Sequence, residues 1–426
     1  MKIRTVALGL QIWPQDFILN GETSGICSVF DLCELDGKIA RAKVLLEELS
    51  GDLTRLDYVV QTQRIVFNSF EDWLMPLLHQ PFNVTLESIV AKLNACLEKH
   101  SIQFCSIGCC STESAMIMLP KILSLSDRIS SSVRLQRSPI APDVATCRAA
   151  ARACLDTALL CGDLGNFRYC VSFNCQPGIP FFPAAYCDSS ATSAESSGQL
   201  SIGFESGDLL FLAFHGADSL IEGRENLEDI MRQALLPVQQ CAELFCKQKG
   251  IDYLGIDASI NPGLGLPDSV GVGLETLLAN QWGEHNSYFG CMGTLAVVST
   301  ITSAVKSLSN PGRDFVSGIK LVGYSGVMLP VMEDVILSQR AVEGKYSIRD
   351  LLVYSSLCGV GLDTVPIPGD ISIESLAGIY SEVGALAFRL DKPLSCRLLP
   401  MKNLSTGDMT SVESPYLCNT CVFSIS

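Results

Sequence analysis

The 426-residue chain has a formal net charge of −15 and a sequence pI near 4.7, which argues against a nucleic-acid or anionic-membrane partner, because phosphate binding needs a clustered basic surface. Hydrophobic residues make up 48% and charged residues 18%, with 34 glycines, which excludes disorder and suits buried parallel strands wrapped by helices. Nineteen cysteines, an odd count without a disulfide-like framework, point to free thiols in a reducing compartment, by default the cytosol.

In chain order, Met1 to Pro14 opens with two basic residues and a short apolar run. The run stops at Pro14-Gln15-Asp16 without a small-residue cleavage site, and Ile3, Val6, Leu8 and Leu10 predict a first β-strand over 2–12 rather than a secretion signal. Strand-like and helical stretches then alternate for nearly the whole length, the pattern of an α/β protein. Strands are predicted near 101–110, 127–134, 166–174, 207–214, 250–257, 317–323, 363–367, 394–400 and 416–424. Helices are predicted over 33–63, 85–99, 142–161, 223–248, 267–281, 292–308, 347–357 and 372–387. Ser347-Ile348-Arg349-Asp350 has a capping-box pattern, and Pro267-Asp268 offers a proline and a negative charge to a helix start. The Ser-, Ala- and Gly-rich tract 186–206 reads as a long loop or lid. No stretch approaches the roughly 18 uncharged apolar residues of a membrane span.

In parallel α/β architectures, functional side chains gather at the carboxyl ends of strands. Asp257 ends the strand Tyr253-Leu254-Gly255-Ile256 and precedes a Gly/Pro-rich loop through Ser259 to Gly271. A carboxylate there can orient a substrate or metal, or cap a local turn; Asp268 reads as a helix cap. In Gly323 to Asp334, a strand leads through Ser325 to the pair Glu333-Asp334, which can bind a hard cation or divide acid and base roles. Adjacent helical positions diverge by about 100°, so only one of the pair could face a site, and in the plainer reading both merely sit in the first turn of a helix. Asp363 and Asp370 flank a short strand after Cys358, which is either a nucleophile or an inert buried thiol, the inert reading being preferred among so many cysteines. Of only four histidines, His215 follows a predicted strand end, although a turn role is the plainer one. The candidate substrate-binding residues are Ser259, Asn174 at the end of the strand 166–174, Ser325, His215 and Cys187. Cys418 and Cys421 form a lone CxxC in a predicted terminal strand, where they would point to opposite faces and read as structural, like Cys109-Cys110. There is no zinc spacing and no Walker loop, and Gly263-Leu264-Gly265-Leu266-Pro267-Asp268 lacks the third glycine of a dinucleotide fingerprint.

At these same segments the chain resembles domain-of-unknown-function family 711, also called uncharacterised protein family 0210. The matching stretches are Ile3 to Gly9, Gly255-Ile256-Asp257-Ala258-Ser259 through Asp268-Ser269-Val270, Gly326 to Asp334, and Cys358 to Asp370. They span nearly the entire chain in the family's order, which implies one domain over 1–426. The resemblance implies a ten-stranded α/β barrel with its helices outside, built from two parallel five-stranded halves and similar to that of glycyl radical enzymes such as pyruvate formate-lyase. It does not imply their radical: Lys320-Leu321-Val322-Gly323-Tyr324 lies far from the C-terminus and lacks the arginine of a glycyl-radical loop. Cys187 stands where bacterial members tend to carry His, and residues 189–206 look rewritten, so no catalytic histidine is carried over.

The resulting expectation is a cytoplasmic enzyme of lyase or hydrolase type acting on a small polar metabolite at the barrel mouth. Asp257, Glu333, Asp334, Asp363 and Cys358 are the candidate catalytic residues. Asp257, Glu333 and Asp363 are the candidate ligands of a divalent cation, Mg, Mn or Ca, with no organic cofactor motif. The alternatives are a non-catalytic metabolite-binding or regulatory protein, and cysteine-dependent catalysis through Cys358 or Cys187. A homo-oligomer stays open.

Overall fold

A strand covered on both faces must be apolar on both, and Lys2–Leu10 (β1) is buried from Thr5 onward. The computed structural model describes residues 1–17, 33–79, 84–138, 141–190, 198–312 and 317–425. After β1 the chain forms α1 (Cys33–Arg55), β2 (Gln63–Phe67), α2 (Phe70–Leu78), α3 (Leu86–Lys99), β3 (Phe104–Cys110), α4 (Glu113–Ser124), β4 (Ile129–Leu135), α5 (Val144–Cys161) and β5 (Tyr169–Phe173). There follow β6 (Gln199–Glu205), α6 (Gly207–Phe214), α7 (Leu220–Lys249), β7 (Asp252–Asp257), α8 (Val270–Trp282) and α9 (Thr294–Ser307). The chain continues with α10 (Val335–Val342), α11 (Ile348–Ser355), β8 (Gly361–Pro368), α12 (Ile373–Leu390) and β9 (Leu394–Met401).

Among the described residues, nine strands form one mostly parallel sheet in the order β7-β6-β1-β2-β3-β4-β5-β9-β8, with helices around it. Neighbours from β1 to β5 are parallel, as are β6 with β7 and β8 with β9. The antiparallel junctions are β1 with β6 and β5 with β9. The carboxyl ends of β6 to β9 therefore lie at the same end of the sheet as the starts of β1 to β5. Along β7, Ile256 and Ile260 make parallel bridges to Leu321 and Val327, and Pro330 bridges to Asp363 on β8.

Several expected elements take another form. Residues 207–214 are the helix α6 rather than a strand: Leu210, Ala213 and Phe214 are buried at helical spacing while Phe211 and Leu212 are exposed. An apolar run this short has no period that separates the two. The strand is instead β6, fully buried, inside the tract expected as a loop over 186–206; Ser201 and Gly203 blur its apolar pattern. The lid expectation otherwise falls on residues 191–197, which lie outside the described residues. The first helix ends at Arg55, with Asp57 in a left-handed conformation (φ 63°), and β2 follows where that helix was expected to end. Helices α2 and α4 were not expected because Pro76 and Pro120 interrupt their patterns.

The run 317–323 contributes only the Leu321 bridge, and 416–424 only the bridge of Cys421 to Met409, so Cys418 and Cys421 do not sit on opposite faces of a strand. Ser347 and Asp350 do form the expected capping box of α11. Ser269, not Asp268, caps α8, and Asp268 pairs with Lys2 Nζ at 3.0 Å. Among the described residues no helix is long and apolar enough to cross a membrane.

Between β5 and β6 the chain packs inward. Ile179, Phe181 and Ala184 join Cys170 of β5 with Tyr324, Met328 and Val360 in one apolar cluster. Ser106 Oγ donates to Ala185 O at 2.6 Å, and Cys187 N to Phe67 O at 3.0 Å, fixing this segment against β2 and β3.

Candidate functional site

Arg64 in β2 and Arg397 in β9 are single charges within otherwise uncharged strands, and Arg4 follows Lys2 at the start of β1; a charge drawn wholly or partly into the interior has to meet either a partner or a polar cavity. All three line a cavity of about 240 Å³ where β1 to β5 begin and β6 and β7 finish. Asn261, past the end of β7, together with Glu333 and Asp363 supplies further polar groups, and Phe181, Phe182 and Tyr324 supply apolar wall.

Arg397 joins the two carboxylates. Its Nε donates to Asp363 Oδ1 at 2.6 Å and its Nη2 to Glu333 Oε1 at 2.5 Å, while Phe167 lies against its guanidinium at 4.9 Å. Glu333 Oε2 is 3.7 Å from Arg4 Nη2, and the other terminal nitrogen of Arg4 donates to Glu205 Oε2 at 2.8 Å. Burial pushes the Asp363 carboxyl up; Arg397 opposes this and the Glu333 charge adds to it.

Arg64 is placed differently. Its Nε donates to Thr62 Oγ1 at 3.1 Å, and its guanidinium lies 4.8 Å from the Phe182 ring centre and 5.4 Å from that of Phe104. No carboxylate pairs with it among the described residues. Burial first, then the neighbouring Arg4 charge, lowers it to about 9, which leaves it cationic at neutral pH.

A family model described as "Uncharacterised ACR (DUF711)" matches residues 1–413. The chain belongs to this family. A Pyrobaculum aerophilum relative of this DUF711 protein, named UPF0210 protein, is 29% identical over 253 residues, covering 58% of this chain and 52% of its own. In that comparison the chain spans about half the length of its relative. UPF0210 proteins of Pyrobaculum islandicum and Syntrophobacter fumaroxidans are 24% identical over 436 positions and 26% identical over 302. Those matches cover 98% and 69% of this chain, and 88% and 63% of the relatives.

Of the residues expected to carry chemistry in this DUF711 protein, the fold brings Glu333 and Asp363 together at the cavity and places the others elsewhere. Asp257, Ser259 and Ser325 form a buried latch. Asp257 Oδ1 accepts from the Ser259 hydroxyl at 2.5 Å and Ser325 N at 3.0 Å, and its Oδ2 accepts from Tyr324 N at 2.9 Å. Gly323 (φ 68°) lets the loop close over it, since a Cβ there would sit 2.1 Å from Asp257 Oδ2. The latch thus positions Tyr324 on the cavity wall without lining the cavity itself.

Asp334 caps α10, accepting from Ile336 N at 3.0 Å and Leu337 N at 3.1 Å, and also takes the Ser269 hydroxyl at 2.8 Å. Of the adjacent pair, Glu333 lines the cavity and Asp334 does not. Cys358 is buried in the main core. Asn174 donates to Ala387 O at 2.8 Å. His215 is exposed at the end of a helix rather than a strand, stacked on Phe211 at 5.3 Å. Cys187 lies away from the cavity, 3.3 Å from Gln199 Oε1, with its thiol pushed up by burial to about 12. The cysteine on the cavity wall is Cys170, which no motif marked; burial holds its thiol well above the usual value.

One other cluster among the described residues gathers metal-ligating groups: Asp36, Cys96 and His100, joining α1 to the end of α3. Its hydrogen bonds are already made. Asp36 accepts from Lys99 Nζ at 2.8 and 2.9 Å and meets His100 Nε2 at 2.9 Å, and Lys99 above all holds its carboxyl down to about 2. Burial pushes the Cys96 thiol up to about 12.

Proposed function

We propose that this chain is an enzyme that carries out acid–base chemistry, of lyase or hydrolase type, on a small polar metabolite in the cavity between Arg64 and Arg397. The observation behind this reading is the Glu333–Arg397–Asp363 arrangement at the cavity wall. Two carboxylates share one guanidinium but sit in different surroundings: Asp363 is raised by burial, and Glu333 is near a second arginine. Such a difference lets one group hold a proton while the other accepts one. A carboxyl raised by desolvation also titrates closer to neutral pH, where proton transfer is most effective.

The bridges from the 320–330 segment to β7 and β8 support a further reading, in which this segment is a tenth strand closing the sheet into a barrel of two parallel five-stranded halves. The chain is then one domain with its cavity at the mouth. In the divalent-cation version, Glu333 and Asp363 would coordinate a metal, which would have to displace Arg397 from between them; acid–base chemistry keeps the guanidinium in place. The cysteine usage supports a reducing compartment, the cytosol.

The test is to incubate the full chain with a cell metabolite extract and follow it by mass spectrometry. We expect one metabolite to be depleted and a product to accumulate beyond the protein's own concentration, with both effects lost in Asp363→Asn. A metabolite retained on ultrafiltration but never converted would make this a binding protein and overturn the enzyme reading.

A further inference from the structure

We infer that the ligand of this cavity carries a compact oxyanion, a carboxylate or a phosphate, which docks on the free edge of the Arg64 guanidinium. This rests on the cavity being the working site, as proposed above, and adds the class of molecule it takes.

The charge balance of the cavity runs opposite to that of the chain. In a protein of net charge −15, the cavity is lined by Arg4, Arg64, Arg128, Arg168 and Arg397 against only Asp127, Glu333 and Asp363. The carboxylates are already engaged: Glu333 and Asp363 by Arg397, and Asp127, at the surface, by Arg168 at 3.8 Å. Arg168 also gives one terminal nitrogen to Leu123 O, Ser126 O and Ile129 O, and Arg128 gives one to Ile102 O at 3.1 Å. Arg64 keeps its charge with no carboxylate in ion-pair contact among the described residues, Glu333 acting on it only from a distance.

Its geometry favours an anion over a neutral group. Aromatic rings cover the guanidinium, and Thr62 takes Nε. Guanidinium donors lie in the plane of the group, and the Nη1/Nη2 edge, which makes no hydrogen bond to another described residue, matches a carboxylate or phosphate with two parallel hydrogen bonds. A half-buried guanidinium near Arg4 and Arg397, with Glu333 offsetting them only in part, also gains more from an anion than one in water does. Asn261 is buried on the cavity wall, and its side-chain amide makes no hydrogen bond to another described residue, so it can bond a polar substituent on the ligand. The volume of about 240 Å³ falls below the roughly 300–1,000 Å³ of drug-sized sites, which limits the ligand to a small metabolite.

Inorganic phosphate, malonate, succinate and the neutral analogue malonamide are titrated by calorimetry and thermal shift against wild type, Arg64→Met, Arg64→Lys and Glu333→Gln. Wild type should bind at least one of the anions and not malonamide, with a melting shift of about 1–3 °C at ten times Kd. Phosphate or the dicarboxylates binding alone identifies the source of the oxyanion. Arg64→Met should weaken binding about 10- to 100-fold, Arg64→Lys less, and Glu333→Gln should leave it equal or tighter because a negative charge is gone. Circular dichroism and melting midpoints show that each variant is folded. Absence of anion binding in wild type, equal binding in folded Arg64→Met, or equal binding of malonamide would each overturn the inference. The two readings fail separately: anion binding without turnover removes the enzyme and keeps the oxyanion site, whereas turnover of a neutral metabolite does the reverse.

Discussion

Arg397 Nε lies 2.6 Å from Asp363 Oδ1, and the same guanidinium reaches Glu333, so one cation neutralises two carboxylates contributed by segments 30 residues apart in the chain. Removing it leaves two like charges buried together. We expect Arg397→Met to destabilise the fold by about 3–5 kcal/mol, the usual effect of breaking a buried pair from one side. The loss should depend on pH. Asp363 is held above its ordinary 3.8 in the fold by burial, and losing Arg397 raises it further. A carboxyl whose folded pKa exceeds its unfolded one costs stability as pH climbs above the unfolded value. Urea unfolding of the variant should therefore show a small deficit below pH 3.8 that widens towards neutrality; a deficit constant with pH would mean the guanidinium serves packing alone.

Asp334 and Asp268 separate a buried cap from a partly exposed ion pair. Asp334 is fully buried and accepts two amides of α10, the Ser269 hydroxyl and Gly271 N at 3.2 Å, so Asp334→Ala should cost about 2–4 kcal/mol. Asp268→Ala removes a pairing with the well-exposed Lys2 ammonium and should cost less than about 1 kcal/mol. Denaturant midpoints measured side by side decide this, and comparable losses would contradict the assignment of the cap.

How far the sequence could anticipate this site depends on what kind of signal each residue leaves. Glu333 and Asp363 could be found because each stands beside glycine- and proline-marked strand ends. Arg4, Arg64 and Arg397 were missed: Arg64 and Arg397 are each one basic residue in a strand and Arg4 is one of two at the start of β1, and their convergence depends on β1 pairing with β2 and β9 with β5, long-range registers that no local pattern encodes. The available clue was the single charge itself, since a strand such as Gln63–Phe67 has no reason to draw an arginine partly inside unless something receives it. Strand β6 and helix α6 were confused for the opposite reason, because serine and glycine hid a strand while a dense apolar run hid a helix. Asp257 carried a real signal, but its carboxylate is used by its own loop.

The Asp36 clasp between α1 and α3 should show in acid. Lys99 and then His100 hold this carboxyl at about 2 against an ordinary 3.8, so its stabilisation is complete above 3.8 and disappears as pH falls towards 2. Asp36→Asn should flatten that limb by lowering the neutral plateau, modestly because the pair is partly exposed, so that variant and wild type converge as pH falls towards 2. An unchanged acid limb in the variant would show that other carboxylates govern it.

Cysteine-dependent catalysis makes a distinct demand: one thiol must be both ionised and reachable. Burial pushes Cys187 to about 12 and holds Cys170 well above the usual value, and Cys358 is enclosed in the core. Native iodoacetamide labelling read by peptide mass spectrometry should therefore modify half-buried thiols such as Cys161, Cys291 and Cys418 before any of these three. Fast, stoichiometric labelling of Cys170, Cys187 or Cys358 in the folded protein would revive the thiol mechanism.

A divalent cation competes with Arg397 for the same carboxylates, which gives the metal reading a test in two proteins rather than one. In wild type the guanidinium sits between Glu333 and Asp363, and Asp257 is occupied by Ser259, Tyr324 and Ser325, so the three expected ligands do not converge. Millimolar Mg²⁺, Mn²⁺ or Ca²⁺ should leave the wild-type melting midpoint within about 1 °C. In Arg397→Met the two carboxylates lose their shared cation and keep only Arg4, 3.7 Å from Glu333, so Mn²⁺ or Ca²⁺ can replace the missing charge. The variant should regain several degrees on adding either ion, and Glu333→Gln in the same background should abolish that gain. A wild-type shift that Asp257→Asn or Glu333→Gln removes would instead establish the metal site and displace the acid–base reading built on Arg397.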